Sequence, residues 1–312
     1  MVDKKDNSFL VPSKNDSRLK KFLASGFGKT PGDIIFNIIS YLIVAVLFAL
    51  CVFPFIYVFL ESIQLVDTSG ENAVTHYGFE AYQLVFQNES LFGSLMFSIG
   101  VTALSTILSV ILTVLAAYPL TRPQLRGKNI FLLFIIFAML FSGGFIPFYL
   151  LIRDTLGLDG NWLVYVIVGL VSPYNIIIVK NFIKGIPEEI MESARVDGAS
   201  EIRTLFSIVL PLSGPIIATI ALWVAVGEWN DWMTSLYYMN TADKELWLFQ
   251  YYLQEILNTA SSDSPNLDAD IIALAENVRN SAVIISVIPI IVVYPFVQKY
   301  FVKGVLLGSV KG

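Results

Sequence analysis

The sequence predicts an all-α integral membrane protein with about six transmembrane helices, and three observations carry that reading. Charged residues make up 14% of the 312 positions and hydrophobic ones 55%, with a mean hydropathy of +0.69, whereas a soluble domain carries about a quarter charged residues. Six apolar runs, at roughly 34–60, 91–118, 129–152, 162–179, 209–227 and 281–298, meet or approach the ~20 residues needed to cross a ~30 Å hydrocarbon core. The segments that join them alternate between rich and poor in Lys and Arg.

Taken in order, the first run has 27 positions and follows 33 mostly polar residues. It is too long for a signal-peptide core and reads as a retained, tilted anchor. Residues 1–33 then form a basic tail ahead of a transmembrane domain at 34–312. The tail carries seven Lys or Arg, the 61–90 loop none, 119–128 three, 153–161 one, 180–208 four, 228–280 two and the C-terminal tail three. Seventeen of the twenty basic residues therefore fall in alternate segments. Basic loops stay on the cytoplasmic side, so both termini are expected inside.

No Asp, Glu, Lys, Arg or His falls within the six runs. Ion-coupled carriers and proton pumps need ionisable groups at membrane depth, so a self-driven carrier is disfavoured. The runs do hold hydroxyls, amides and aromatics, among them Tyr41, Ser98, Thr102, Ser105, Thr113, Tyr149, Asn175 and Tyr294. Most of these read as helix–helix hydrogen-bonding groups, with a few left to line a path for a neutral, hydroxyl-rich solute. The lone Cys51 and lone His76 leave no disulfide and no metal set, and no hydrolase or metalloprotease motif occurs. Gly28-Lys29-Thr30 ends like a phosphate-binding loop, but Leu23 stands where the pattern needs Gly. Uphill transport by this chain would draw its energy from another subunit.

The internal loop at about 185–211 is the most informative segment. Pro187 precedes Glu188 and Glu189, a favourable helix start for Pro and for acids near the dipole. Ile190, Met191, Ala194 and Val196 form an apolar stripe, Asp197-Gly198 is a stop, and Ser200 caps a second helix with Glu201, Ile202, Leu205 and Phe206. Two short helices around a glycine bend are expected, lying along the membrane face.

Within that loop, Glu192-Ser193-Ala194, Gly198 and Ile208-Val209-Leu210-Pro211 resemble the E-A-A…G…I-x-L-P loop of permease subunits of ATP-binding-cassette (ABC) importers, with Ser193 in place of the usual Ala. Ile146-Pro147-Phe148-Tyr149, Leu156-Gly157-Leu158 and Gly227-Glu228-Trp229-Asn230-Asp231-Trp232 resemble the maltose-type branch. The ending, from Tyr294-Pro295-Phe296 to Gly308-Ser309-Val310-Lys311-Gly312, is similar to the poly- and oligosaccharide importer subfamily. The resemblance spans about 34–312.

It implies a type I ABC importer permease fold with cytoplasmic coupling helices, in a bacterial cell membrane. Two such permeases would form the pore, two separate ATPase subunits would bind ATP and Mg, and an extracellular solute-binding protein would deliver the saccharide. This chain itself would be no enzyme and would bind no cofactor or metal. Glu192 would pair with the ATPase. Ser193, Ala194, Asp197, Gly198 and Pro211 would shape the coupling loop, with Ile190, Met191, Val196, Ile202 and Leu205 as docking side chains. The tail at 308–312 would also reach the ATPase.

Outside the membrane, Phe79, Tyr82, Leu84, Val85 and Phe86 form a short amphipathic stretch, and Trp247, Phe249, Tyr251 and Tyr252 an aromatic segment. Each suits either interfacial anchoring or partner contact. The resemblance to the maltose-type branch implies that residues ~255–268 probe the sugar cleft of the solute-binding protein. Trp223, Trp229, Asn230, Trp232 and Tyr237 are the substrate-path candidates. A non-sugar solute for the same class of importer, or an ATPase-independent six-helix channel or receptor, remain the alternatives.

Overall fold

The computed structural model describes residues 31–67, 74–240, 244–260 and 269–309. Most of the basic tail, the near-phosphate-loop at 28–30 and the 261–268 part of the loop expected to probe the binding protein's sugar cleft lie outside them, as do residues 310–312. The chain divides into two compact units, Met1–Val58 and Phe59–Gly312. In the first, the helix α1 (Pro31–Ile63) has no buried side chain in its most apolar stretch, and Phe53 stacks on Tyr57 at 6.4 Å. A helix apolar all round needs an apolar solvent, which lipid supplies.

The second unit continues with a hairpin, β1 (Gln64–Asp67) and β2 (Val74–Tyr77), paired antiparallel with Leu65 opposite His76. Helix α2 (Glu80–Gln87) buries Ala81 and Val85, leaving Phe79, Leu84 and Phe86 exposed. Then comes α3 (Glu89–Ala117), capped by the Asn88 side chain and extended by a tight turn, Pro119–Thr121. Next are α4 (Lys128–Leu140) and α5 (Phe145–Leu150), the latter running on through Leu151–Thr155. Two further helices, α6 (Leu163–Ile167) and α7 (Pro173–Lys184), precede the internal loop. That loop holds α8 (Glu188–Val196) and α9 (Glu201–Thr204), the second extended through Leu205–Val209 and Leu210–Leu212. The chain ends with α10 (Gly214–Trp229), α11 (Met233–Tyr238), α12 (Phe249–Ala260) and α13 (Ala269–Ser309).

Three helices are long and apolar enough to cross a membrane: Pro31–Ile63, Glu89–Thr121 and Glu276–Phe296. Two more spans arise if each bent pair counts once, giving up to five among the described residues. Each bend has a local cause. Lys128–Leu140 and Phe145–Thr155 meet at 111° across Gly143-Gly144, where Gly144 has φ +88°. Glu201–Leu212 and Gly214–Trp229 meet at 79° at Ser213, between Pro211 and Pro215, neither of which has an N–H to continue a helix. The fourth apolar run, expected as one span at 162–179, is not one helix of span length. Gly169 takes φ +82°, and Ser172 accepts a cap bond from the Asn175 N–H at 3.4 Å before Pro173 starts α7. The fifth run also extends further than its apolar residues suggested, since α10 carries Glu228 in its last turn.

Helix α3 is the spine of this unit. Its buried face reads Ser94, Ser98, Val101, Ser105, Ser109, Thr113 and Ala117, small residues three or four apart that let neighbouring backbones approach. Three apolar clusters lie along it. One gathers Val114, Ala117 and Tyr118 with Ile176, Val179, Met191, Leu205 and Ile220. A second joins Leu91 and Leu95 to Trp229, Phe249 and Ile285. The third joins Val101 to Ile152, Val164, Tyr165, Tyr238 and Leu248. Hydrogen bonds pin the same contacts: the Phe249 N–H donates to Ser98 Oγ at 2.7 Å, Ser105 Oγ to the Tyr165 carbonyl at 3.4 Å, and Trp229 Nε1 to the Ser286 carbonyl at 2.9 Å.

The aromatic segment after α11 departs from both expected roles. Trp247, Phe249 and Tyr251 are buried, with Trp247 against Tyr251 and Tyr252 at 4.7 and 5.1 Å. They form core against α3 rather than a membrane belt or a partner surface. Because Ser98 and the Phe249 N–H are both buried, Ser98→Ala orphans a backbone donor. We expect a loss of about 1–3 kcal/mol, read as a lowered unfolding midpoint of the chain in detergent, with Ser193→Ala, on the exposed loop, nearly silent.

Candidate functional site

The internal loop is built as two short helices around a bend. Helix α8 starts after Pro187 with Glu188 and Glu189 in its first turn. It ends with a pair of crossed bonds, from the Gly198 N–H to the Arg195 carbonyl at 3.0 Å and from the Ala199 N–H to the Ala194 carbonyl at 2.9 Å. That pattern is a Schellman cap, which needs a left-handed residue at its centre. Gly198 supplies it at φ +75°. Ser200 Oγ then accepts from the Arg203 N–H at 3.3 Å and starts α9.

The two helices present different faces. Met191, Ala194 and Leu205 are buried, Met191 and Leu205 against Val114, Val179 and Ile220. Met191 and Leu205, two of the expected docking side chains, are instead the foot of the loop, because α8 and the segment after α9 turn them into the chain's own core. The outward face carries Val196, 87% exposed, Ile202 at 72% and Phe206 at 58%, with Ile190 at its edge. Glu192, Asp197 and Pro211 are exposed there too, and Glu192 makes no ion pair among the described residues. Ser193 is exposed and donates its hydroxyl to the Glu189 carbonyl at 2.8 Å.

Glu201 ties this loop to the end of α3. Its carboxylate accepts the Tyr118 hydroxyl at 2.6 Å and lies 3.2 Å from Arg122 Nε and 3.9 Å from Arg195 Nε. The Arg122 guanidinium covers the Tyr118 ring at 4.2 Å and reaches Met191 Sδ at 3.7 Å. Arg122 is nearly buried whereas Glu201 is half exposed, so each ion pair contributes little alone, but the set links both helices of the loop to one membrane helix. None of these partners stood out in the sequence: Glu201 read as a helix-start acid and Arg122 as one of the basic residues that set orientation.

The substrate-path candidates scatter. Trp229 is buried and bonded to Ser286, hence a core anchor between α10 and α13 and not a lining residue. Asn230 turns its amide back on the Val226 carbonyl at 2.8 Å. Trp223 is exposed, with Tyr174 stacked 6.1 Å away, and Trp232 is half-buried. Tyr237 joins an aromatic row that the sequence reading missed: Phe145 lies 4.6 Å from Tyr237 and 6.0 Å from Tyr149, and Tyr149 is 5.4 Å from Tyr238. Arg153 Nη1 donates to the Tyr149 hydroxyl at 2.7 Å. The Gly144 bend brings these rings together from positions far apart in the chain. Among the described residues no group of His, Cys, Asp or Glu could hold a metal ion.

The model of the binding-protein-dependent transport system inner membrane component family matches residues 125–307, a stretch that contains the whole internal loop at 185–211. The chain belongs to this family. Among its relatives, Protein LplC of Bacillus subtilis (strain 168) is 36% identical over 91% of this chain and 97% of its own length. The polygalacturonan/rhamnogalacturonan transport system permease protein YtcP of the same strain is 35% identical over 89% of this chain and 99% of its own. A chain of a bacterial ABC transporter involved in the import of the acidic polysaccharide alginate superposes with a TM-score of 0.76 at 30% identity, over 88% of this chain and 99% of that one.

A Cβ on Gly198 would meet nothing within 4 Å, so replacement there is opposed by backbone strain and not by a clash. Gly198→Val is expected to weaken the cap by roughly 1–2 kcal/mol. Amide exchange at Ala199 should then quicken by about 5–30-fold, measured by hydrogen exchange, while the apolar helices keep their protection.

Proposed function

We propose that this chain is one of two permease subunits of an ATP-driven importer, forming half of the pore for an oligo- or polysaccharide that an extracellular solute-binding protein delivers. Membership in a binding-protein-dependent transport family supports this, and the saccharide follows from the polygalacturonan/rhamnogalacturonan permease and the alginate importer among its relatives. The single observation that carries the energy-coupling part is the outward face of the loop. Val196, Ile202 and Phe206 are exposed, as are Glu192 and Asp197, and Glu192 has no ion pair among the described residues; apolar side chains with acidic neighbours fit a partner cleft with a basic residue. One of two separate ATPase subunits, which themselves would bind ATP and Mg, would dock there.

The same reading completes the topology as six membrane passes with both termini and the docking loop in the cytoplasm, following the basic-residue alternation. The tail at 308–312 would lie on the ATPase side, and α12 with the residues after it on the outer side. The aromatic row of Phe145, Tyr149 and Tyr237 is a better candidate for sugar contact than Trp229, since ring faces stack on pyranose faces and Phe145 and Tyr237 are exposed.

Two experiments test this. In the first, Glu192→Lys leaves the chain folded and inserted, because Glu192 is exposed, but repels a basic cleft. A truncated charge pair at an interface costs on the order of 2–5 kcal/mol, so ATPase subunits should no longer co-purify and uptake should fall to background; wild-type co-purification with wild-type uptake would sink the docking assignment. In the second, a Cys51→Ser background carries a single cysteine at Asn258 or at Ser200, both exposed. An impermeant maleimide on intact cells should label the first and spare the second, and the reverse pattern would overturn the topology.

A further inference from the structure

Away from the docking loop, a cavity of about 130 Å³ opens between the start of α4 and the end of α7, lined by Leu120, Thr121, Lys128, Asn129, Leu132, Lys180 and Lys184. Three of the seven lining residues are lysines and none is acidic. No ion pair involves any of the three among the described residues. Two of them are also placed against local preference. Lys128 opens α4, where a positive charge opposes the helix dipole, and Gly127 ahead of it gives no side-chain cap. Lys180 sits one turn before Lys184 on α7, an i,i+4 pair of like charges that repel. A bound anion would relieve all three.

The surroundings indicate which anion. From the cavity, α4 leads away as a rod of exposed apolar side chains, Ile130, Phe131, Leu133, Phe134 and Phe137, a surface suited to acyl chains. Leu120 and Leu132 form the apolar part of the cavity wall. We infer that this cavity is a binding site for the phosphate of an anionic phospholipid, with the lysines on the headgroup and the acyl chains along α4. Basic pockets between membrane helices take such headgroups. The inference borrows from the proposed function only the orientation that assigns it to the cytoplasmic leaflet; binding itself does not depend on transport.

Native mass spectrometry of the full chain, purified in nonionic detergent and titrated with dioleoyl phosphatidylglycerol or dioleoyl phosphatidylcholine, tests it. The anionic lipid should bind at least tenfold more tightly. Lys128→Gln with Lys180→Gln should lower that affinity by about fivefold per lysine, whereas Arg126→Gln with Arg203→Gln, the same charge loss on exposed positions outside the cavity, should leave it within twofold. If the double lysine variant fails to fold, Lys184→Gln alone carries the comparison, because Lys184 is exposed. Equal binding of the two lipids, or unchanged binding by the lysine variants, overturns the site. Displacement of the lipid by equimolar inorganic phosphate makes it a free-phosphate pocket and overturns the lipid reading. Either failure leaves docking through Glu192 untouched, since no lysine of the cavity takes part in it.

Discussion

The close approach of helices to α3 is the constraint on which the rest of the second unit depends. In lipid, apolar side chains gain nothing by leaving solvent for one another, so helices associate through tight packing and hydrogen bonds. The face of Ser94, Ser98, Ser105, Ser109, Thr113 and Ala117 provides both. It is narrow enough for α10, α7 and α12 to close on it, and two of its hydroxyls bond backbone groups of other elements, Ser98 at Phe249 and Ser105 at Tyr165. All three apolar clusters have α3 as a wall.

The internal loop at 185–211 inherits its position from that spine. Met191 and Leu205 plug the same cluster that seals the end of α3, and Glu201 is fastened to Tyr118 and Arg122 just beyond it. One side of the loop is therefore part of the folded core, and the other leaves Val196, Ile202 and Phe206 exposed. Met191 and the Arg122–Tyr118 stack join the loop to the end of α3 by direct packing. Gly198 sits between these two roles and sets the angle at which the second helix leaves the first.

Breaks in the apolar segments follow glycine and proline and not hydropathy. Gly144, Gly169 and the Pro211/Pro215 pair each interrupt a run that carries no charged residue. The bend at Gly144 gathers Phe145 and Tyr149 beside Tyr237, and the break before Pro173 frees α7 to carry its lysines to the mouth of the cavity beside α4. Interrupted segments thus supply both surfaces to which ligands are assigned.

The sequence by itself determined the class of the molecule and the local shape of its internal loop. Lipid demands long apolar runs and an uneven spread of Lys and Arg, both visible in one dimension, and Pro187, Gly198 and Ser200 act within a few residues, so their helix start, left-handed stop and cap were legible. Which side of each helix faces inward was not, because α8 is too short and too mixed for its stripe to have one reading. Only the tertiary structure decided that Met191 and Leu205 are foot and Ile202 is face, that Trp229 and Trp247 are core, and that Glu201 and Arg122 are partners. Those roles depend on contacts across roughly 60 to 150 residues of chain, set by how closely α3 lets its neighbours approach, and no pattern local to any one segment encodes that distance.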